Sequence, residues 1–277
     1  MPEKLILDAG LNRILDGLSS EMELHEPHDA RGNGVSEQTQ YLDCFQLTSS
    51  DVERVIMTLK VSWKTTNDGL SPQFSKDISK FLSRILTPLF NKSLRDGVSP
   101  NILKLAISVP IFKGGIKIHI SNYRPIVLLL TISKIYEKCI KEKVINYLEH
   151  ILCFFFENQF GFIKNKSTDL ALFKHITEIT KGIERNNISA GVYLDLAKAF
   201  DTVNHKLLIQ KLKNIGIRGP FLDWFTSHLT DREHSVQINN TTSSKLKMKH
   251  GVPQGSVLGP LLFDNYIVTF YKLQRVI

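Results

Sequence analysis

Apolar and polar positions follow a helical period along much of this chain. Between residues 50 and 94, apolar side chains recur every three or four positions, which is typical of amphipathic helices. Ser50 and Glu53 have the spacing of a capping box, so we predict that one helix begins at Ser50. A second helix is predicted from about Phe74 to Leu94, with an apolar stripe that includes Phe81 in the core. The same spacing predicts helices at residues 131–150, 168–186, 204–214 and 220–229.

Short runs of branched and aromatic residues predict the strands. These runs are residues 105–112, 126–130, 190–196, 234–238 and 245–249. The first two are expected to pair as a hairpin with a basic tip at residues 113–119, and the last two as a second hairpin. The middle run is an apolar strand that ends on a carboxylate. A mixture of helices and paired strands without an internal repeat predicts an α+β fold.

Positive charge is concentrated in the last two-thirds of the sequence. The formal net charge is +8, divided as −3 over residues 1–103, +6 over residues 104–186 and +5 over residues 187–277. A basic excess indicates a polyanionic partner, because the neutralisation of phosphates releases counterions. Charge alone is a weak indication, since many basic domains bind no nucleic acid.

Three cysteines, Cys44, Cys139 and Cys153, have no motif spacing. This argues against a disulfide scaffold and against a zinc site, and favours buried, reduced thiols in an intracellular protein. The first residues do not have the pattern of a signal peptide. The longest apolar run, residues 126–132, is too short to span a bilayer.

A carboxylate in the apolar run is the first candidate for chemistry. Asp195 lies within residues 191–201. Burial of an unpaired carboxylate is unfavourable by several kcal/mol, and a bound metal ion would neutralise it. An Asp that ends a strand and caps the next helix explains the same pattern, and the segment alone does not decide between the two. Phe200 could lie over the same site.

A glycine-rich segment at residues 251–260 is the second candidate. Two closely spaced glycines let the backbone approach a ligand, and Gln254 can both donate and accept hydrogen bonds. As a pattern of residue types, however, a turn that opens a helix near Ser256 is the favoured interpretation.

The predicted basic hairpin is the third candidate. Arg124 could grip a triphosphate as a bidentate fork, and Lys113 could add a point charge. Taken alone, this segment is better interpreted as an ordinary solvated hairpin.

Two longer blocks resemble signature motifs of reverse transcriptases from non-LTR retrotransposons, in particular LINE-class jockey-like elements. They are residues 193–205 (YLDLAKAFDTVNH) and residues 250–263 (HGVPQGSVLGPLLF). Shorter blocks fit the same family in order and at family spacing. These are residues 67–69, 89–91, 97 with 100, 104–106, 110–113, 121–126, 133–134 with 137–138, 158–162 and 167–168. The resemblance covers residues 47–263.

The resemblance implies an α+β right-hand polymerase fold. Residues 1–46 would be a flexible lead-in, residues 47–190 the fingers and start of the palm, and residues 191–277 a partial palm with a ferredoxin-like sheet and no thumb. The implied reaction is attack of a primer 3′-hydroxyl on the α-phosphate of a deoxynucleoside triphosphate opposite an RNA template. The implied partners are the RNA template, the DNA primer and the nucleotide, in the cytoplasm or nucleus and without a membrane.

The resemblance also assigns roles to residues that match its motifs. Asp195 corresponds to the first catalytic carboxylate, which holds two Mg²⁺ ions with the backbone carbonyl of Leu196. Phe200 corresponds to the ring beneath the sugar that excludes a 2′-hydroxyl. Arg124 corresponds to the residue that grips the triphosphate, with Lys113 as its helper.

Template contacts are implied for two further segments. Gln254 and Gly255 correspond to the element that supports the template base and the nascent pair. Gln159, Gly161 and Phe162 belong to a template-contacting block. Asp201 lies within the motif but is expected to be structural.

The chain departs from the family in its carboxylates. The family carries two further aspartates in a Tyr/Phe-Ala-Asp-Asp hairpin, and these 277 residues contain no Asp-Asp pair. Asp264 falls in an expected apolar helix. One carboxylate cannot hold two hard cations in near-octahedral geometry. We therefore expect a chain truncated before that hairpin, inactive alone, with apolar surface exposed beside an unpaired sheet edge. The alternatives are a non-catalytic RNA-binding fragment and a decayed element remnant.

Overall fold

In the computed structural model, the described residues are 12, 15–21, 41–151, 159–239 and 241–271. The helices among them are α1 (Ser49–Met57), α2 (Pro72–Asp77), α3 (Ser79–Asp96), α4 (Asn101–Lys104), α5 (Thr131–Ile151), α6 (Thr168–Glu184), α7 (His205–Asn214), α8 (Gly219–Leu229) and α9 (Gly259–Tyr271). The strands are β1 (Ala106–Phe112), β2 (Tyr123–Leu128), β3 (Glu233–Ile238), β4 (Thr241–Thr242) and β5 (Leu246–Lys247).

The strands form one mixed sheet. Its order is β2-β1-β3-β4, and β5 pairs with β3. The two predicted hairpins are confirmed, because β1 pairs antiparallel with β2 and β3 pairs antiparallel with β5. The sheet becomes mixed through the parallel pairing of β1 with β3, in which Ile107 lies opposite Ser235. The α+β prediction is confirmed at this level.

The first helix begins earlier than predicted. Its capping box is Thr48 with Asp51, and the prediction of Ser50 with Glu53 was wrong. Thr48 Oγ1 accepts from the Asp51 amide at 3.1 Å, and Asp51 Oδ2 accepts from the Thr48 amide at 3.2 Å. The two pairs have the same spacing, so sequence does not separate them. In the structure, Lys143 on α5 forms an ion pair with Asp51 at 3.3 Å, and this tertiary contact favours the capping box that contains Asp51.

The predicted second helix is two helices, α2 and α3, which meet at Ile78. Ser71 caps α2 by accepting from the Phe74 amide at 3.1 Å. Of the predicted apolar stripe, Leu82 and Phe90 are fully buried, and Phe74, Ile78 and Leu89 are partly buried against the core. Phe81 is 62% exposed, so its core assignment was wrong.

A stack of aromatic rings joins three helices in the core. Phe90 on α3 stacks on Tyr136 of α5 at 4.1 Å, and Tyr136 meets the edge of Trp224 on α8 at 5.5 Å. The buried polar atoms of Tyr136 and Trp224 are both hydrogen-bonded. The Tyr136 hydroxyl donates to Ser93 Oγ at 2.8 Å, and Trp224 Nε1 donates to the same oxygen at 3.1 Å. Burial of such rings supplies much of the stability of a core this size.

The predicted strand at residues 190–196 is not formed, and that prediction was wrong. The segment is irregular, and Val192, Tyr193 and Leu194 are each about 80% exposed. A strand requires a neighbour for its backbone groups, and no strand in the described part of the chain lies alongside this one. None of the residues of α6 is buried either. Apolar side chains are thus exposed on both segments, and the predicted link to an unpaired sheet edge stays a prediction.

The predicted lead-in falls largely outside the described residues. Leu42, however, lies against the body of the fold, because its amide donates to Gly216 and its carbonyl accepts from Arg218, both at 3.0 Å. Leu18, in the helical stretch 15–21, is buried. The boundary at residue 46 therefore stays a prediction.

Two remaining predictions concern membranes and cysteines. None of the helices that the structure describes combines the length and hydropathy of a membrane span. Cys139 is buried as expected, whereas Cys44 is exposed, which corrects the expectation of burial. Cys153 lies outside the described residues.

Candidate functional site

The two signature blocks meet through backbone hydrogen bonds. The Gly251 amide donates to the carbonyl of Val203, and the Val252 amide to the carbonyl of Phe200, both at 2.8 Å. Gly251 has φ +87°, and a Cβ there would lie 2.9 Å from the Asp201 carbonyl oxygen. Only glycine fits such an approach without strain. The close approach therefore explains why residue 251, one of the two closely spaced glycines of this segment, is a glycine.

The loop also lies on the β1–β2 hairpin. The Gln254 carbonyl accepts from the Val127 amide at 2.7 Å, and Gln254 Nε2 donates to Asp201 Oδ1 at 3.0 Å. Gly255 has φ +99°, and a Cβ there would lie 3.0 Å from the Val127 carbonyl oxygen. Gln254 thus joins the hairpin to the first block. The bond from Gln254 agrees with a structural role for Asp201.

A residue without a predicted role anchors the far side of the loop. Glu137, on α5, is fully buried, and its Oε2 accepts from the amides of Val257 at 2.8 Å and Leu258 at 3.1 Å. Burial raises the pKa of Glu137, and the positive charge of Arg232 opposes that rise. A lone acid among the apolar positions of α5 is the signal that could have drawn attention to it.

A buried histidine lies beside this anchor. His228 Nε2 is 3.9 Å from Glu137 Oε1, and Arg232 Nη1 donates to the His228 carbonyl at 3.2 Å. Burial holds the pKa of His228 well below its usual range, and the Arg232 charge acts in the same direction. His228 is therefore neutral at physiological pH, and Arg232 supplies the positive charge of the cluster.

Three aromatic rings from separate blocks converge beside the loop. Phe200 stacks on Phe263 at 4.7 Å and meets the edge of Phe162 at 5.9 Å. Phe200 is half-buried, and Phe162 is 60% exposed with φ +59°. The structure therefore brings together Phe200 and Phe162, which the resemblance assigned to the sugar and to the template.

Gln159 uses its amide inside the protein. Its Nε2 donates to Asp264 Oδ1 at 3.0 Å and to the Gly161 carbonyl at 3.1 Å. Burial raises the pKa of Asp264 to about 7, while the charge of Lys141 and the bond from Gln159 oppose that rise. Gln159 is buried as well, so the structure gives it a visible role in holding Asp264. Its template contact stays a prediction.

The remaining predicted residues are exposed and separate. Asp195 and Leu196 lie on the irregular segment, and Lys113 and Arg124 lie on the hairpin. No hydrogen bond or ion pair within the described ranges joins Asp195 to either cation. Strand alternation places Arg124 on the face of Leu128, opposite the face that carries Val127. These four residues are not assembled into one site.

A cleft of about 310 Å³ lies between the loop and the sheet. Asp201 and Gln254 form one wall, and Ser108 and Val127 of the hairpin form the other. His234 also lines the cleft, and its Nδ1 is buried without a hydrogen-bond partner among the described residues. The cleft is the space that the two signature blocks enclose against the hairpin.

The metal pair that the resemblance implies does not fit the residues described. No group of three or more His, Cys, Asp or Glu side chains in those ranges is placed to hold a metal ion. Asp195 is exposed, and Asp264 is buried in a bond to Gln159. One carboxylate and one carbonyl leave most positions of a two-magnesium centre unfilled.

Comparison with known families gives a clear match. The family model described as reverse transcriptase (RNA-dependent DNA polymerase) matches residues 111–276, which is more than half of the chain. The matched range contains both signature blocks, the hairpin from Ile111 onward and the aromatic cluster around Phe200.

Curated relatives agree with that match. The chain is 34% identical over 185 residues to the probable RNA-directed DNA polymerase from transposon BS of Drosophila melanogaster, which covers 65% of this chain and 20% of the relative. It is 28% identical over 221 residues to the RNA-directed DNA polymerase from mobile element jockey of Drosophila funebris, which covers 79% of this chain and 24% of the relative. The chain thus spans about a fifth to a quarter of the length of these relatives.

Proposed function

Because this chain belongs to the reverse transcriptase (RNA-dependent DNA polymerase) family, as a domain of the non-LTR retrotransposon type, we propose that it supplies the fingers and part of the palm of an RNA-directed DNA polymerase. The observation that supports this most directly is the Gln254 carbonyl bonded to the Val127 amide at 2.7 Å. That bond holds the loop of the second block against the hairpin that carries Arg124.

The proposed substrates are an RNA template, a DNA primer and a deoxynucleoside triphosphate. Lys113 and Arg124 are exposed cations on the hairpin and are available to a triphosphate. The exposed ring of Phe162 meets the half-buried ring of Phe200 at 5.9 Å. We propose that these rings and the exposed Gly255 contact the base pair. Neither of the alternatives, a non-catalytic RNA-binding fragment or a decayed remnant, is favoured by the relatives, which are polymerases by name.

Members of the family generally use divalent metal ions. In the proposed function, Asp195 and the Leu196 carbonyl contribute to the site for those ions. The 277 residues do not supply the remaining carboxylates, so we propose that this chain binds primer and template without extending the primer by itself. No step of the reaction is therefore assigned to its residues beyond binding and positioning.

Site-directed photocrosslinking tests this function. A template carrying 4-thiouridine opposite the next incoming nucleotide is bound with its primer and irradiated, and the crosslinked peptides are sequenced. We expect crosslinks to peptides that contain Phe162 or Gly255. A basic protein that binds nucleic acid non-specifically would give crosslinks scattered over its lysine-rich surface, and that result would refute the proposed function.

A further inference from the structure

The loop that connects the two signature blocks to the hairpin has a backbone that hydrogen bonds must hold in place. Gly251 has φ +87° and Gly255 has φ +99°, and glycine has more conformational freedom to lose than any other residue. The middle of the loop is held by the Val127 amide, and its far end is held by Glu137. The start of the loop, at Gly251, is held by the first block.

Both polar backbone groups of Gly251 are bonded to the first block. Its amide donates to the Val203 carbonyl at 2.8 Å, and its carbonyl oxygen lies 2.7 Å from His205 Nε2. A carbonyl oxygen only accepts, so this contact requires the proton of a neutral His205 to be on Nε2. Burial lowers the pKa of His205, the bond to Gly251 opposes that shift, and the charges of His250 and Arg232 add to it. His205 is therefore a neutral donor at physiological pH.

The donor is carried by a helix whose position is fixed. His205 is the first residue of α7 and is half-buried. Asn204 caps this helix by accepting from the Leu207 amide at 3.1 Å, and Leu208 and Leu212 are buried in the core. A side chain on a packed helix holds its partner more precisely than a side chain on a loop does. The imidazole thus fixes the Gly251 carbonyl relative to the core.

We propose that His205 is a positioning residue for the base pair, because its bond to the Gly251 carbonyl keeps the loop in the shape that presents Gly255. The inference rests on the proposed function, which supplies the contact between Gly255 and the base pair. His205 acts through the backbone of the loop and contacts no reacting group. Loss of one neutral hydrogen bond out of the few that hold the loop should increase the displaced population by about 2- to 12-fold.

Two variants of His205 separate the hydrogen bond from the size and polarity of the side chain. Gln places its amide nitrogen about where the imidazole has Nε2, whereas the amide of Asn is one methylene shorter. Hydrogen exchange on the whole chain measures the backbone amides within residues 251–255. Exchange should be faster by about 2- to 12-fold in His205→Asn and within about twofold of wild type in His205→Gln.

Photocrosslinking measures the consequence for nucleic acid. With the 4-thiouridine template and its primer, the ratio of crosslinks at Gly255 to crosslinks at Phe162 should fall by about 2- to 12-fold in His205→Asn, and His205→Gln should restore it. Phe162 is the internal reference, because its ring contacts Phe200 and not the loop. Affinity for the primer–template should stay within about twofold of wild type, because phosphate contacts dominate such binding.

His175 provides the matched control. Its Nε2 also makes a contact of 2.7 Å, to the Tyr193 hydroxyl, but both of these side chains are exposed and the contact does not involve the loop. His175→Asn should leave both the exchange of residues 251–255 and the crosslink ratio unchanged. Circular dichroism and the thermal midpoint show whether each variant is folded. Nitrogen-15 spectra of the wild-type imidazoles test the required Nε2–H form of His205 without any substitution.

The other outcomes overturn the proposal. A His205 that carries its proton on Nδ1 and not on Nε2 would refute the bond to Gly251. Wild-type exchange in His205→Asn, or failure of His205→Gln to restore protection, would refute the hold on the loop. A lower thermal midpoint with an unchanged crosslink ratio would show a purely structural residue. Absence of crosslinks at both Phe162 and Gly255 in wild type would refute the proposed function, whereas exchange and the imidazole spectra still decide whether His205 holds the loop.

Discussion

The Glu137 carboxylate and the Leu258 amide are separated by 121 residues in the chain and by 3.1 Å in space. This bond fastens the end of the Gly251–Gly255 loop to α5, while the Gln254 carbonyl fastens its middle to β2. A loop held at both points presents Gly255 in one position. Glu137 is therefore a positioning residue, because it acts on the site through the backbone of the loop.

Glu137→Ala should lower the free energy of unfolding by about 3 kcal/mol, because it leaves two buried amides unpaired and removes the charge that offsets Arg232. Urea denaturation at neutral pH measures this. Glu142→Ala on the same helix is the control. Glu142 pairs with Arg54 at 2.8 Å, but both side chains are at least one-third exposed, so its loss should cost less than about 1 kcal/mol. Equal losses for the two variants would contradict the anchoring role.

Gly251→Ala should destabilise the fold by about 2–4 kcal/mol, since the new Cβ would lie 2.9 Å from one carbonyl oxygen and 3.0 Å from another. Gly114→Ala provides the comparison. Gly114 also has positive φ, at +127°, but no atom of the described residues lies within 4 Å of the position that a Cβ would take there. Gly114→Ala should therefore cost only the backbone strain, about 1 kcal/mol. A smaller loss at Gly251 than at Gly114 in thermal unfolding would refute the close approach.

Asp264 should make stability fall as pH rises. Its folded pKa is raised to about 7, against about 4 in an unfolded chain, so between these values the folded form keeps a proton that the unfolded form has released. The stability from this group is present below about pH 4 and is lost as pH rises through about 7. Wild type should lose about 3 kcal/mol more than Asp264→Asn across that window.

Denaturant curves at several pH values measure this difference. His205 and His228, whose folded pKa values are lowered, add stability with rising pH in both proteins and cancel in the comparison. Parallel pH profiles for wild type and Asp264→Asn would show that Asp264 does not titrate in the window.

Local pattern was sufficient for the hairpins and for most helices. The β1–β2 hairpin is set by branched residues on both sides of a polar tip, and that information is contained within the segment. The parallel pairing of Ala106 with His234 joins segments far apart in the chain, and no local period encodes it. The run at residues 190–196 has a strand pattern, but a strand also requires a partner, which pattern does not supply.

The candidate site was predictable where the resemblance covered it. The resemblance marked the two blocks that meet in the structure through Gly251, Val252 and Gln254, whereas the residue types of the second block favoured an ordinary turn. The lysines that line one groove, Lys60, Lys64, Lys134 and Lys138, were not predicted to lie together, because they come from residues 60–67 and from α5, which only the fold brings together. The amide of Gln159 is bonded internally, a detail that neither motif nor period reveals.

Primer extension is the decisive experiment on this chain. The chain and its Asp195→Asn variant are each given an RNA template, a labelled DNA primer and nucleotides, first with Mg²⁺ and then with Mn²⁺. If the chain is a reverse transcriptase domain that binds but lacks the full set of metal-binding carboxylates, both proteins should retain the primer–template and neither should lengthen the primer. Extension by the chain that disappears in Asp195→Asn would contradict this expectation, and would mean that another carboxylate, with Asp264 the first to test, completes the metal site.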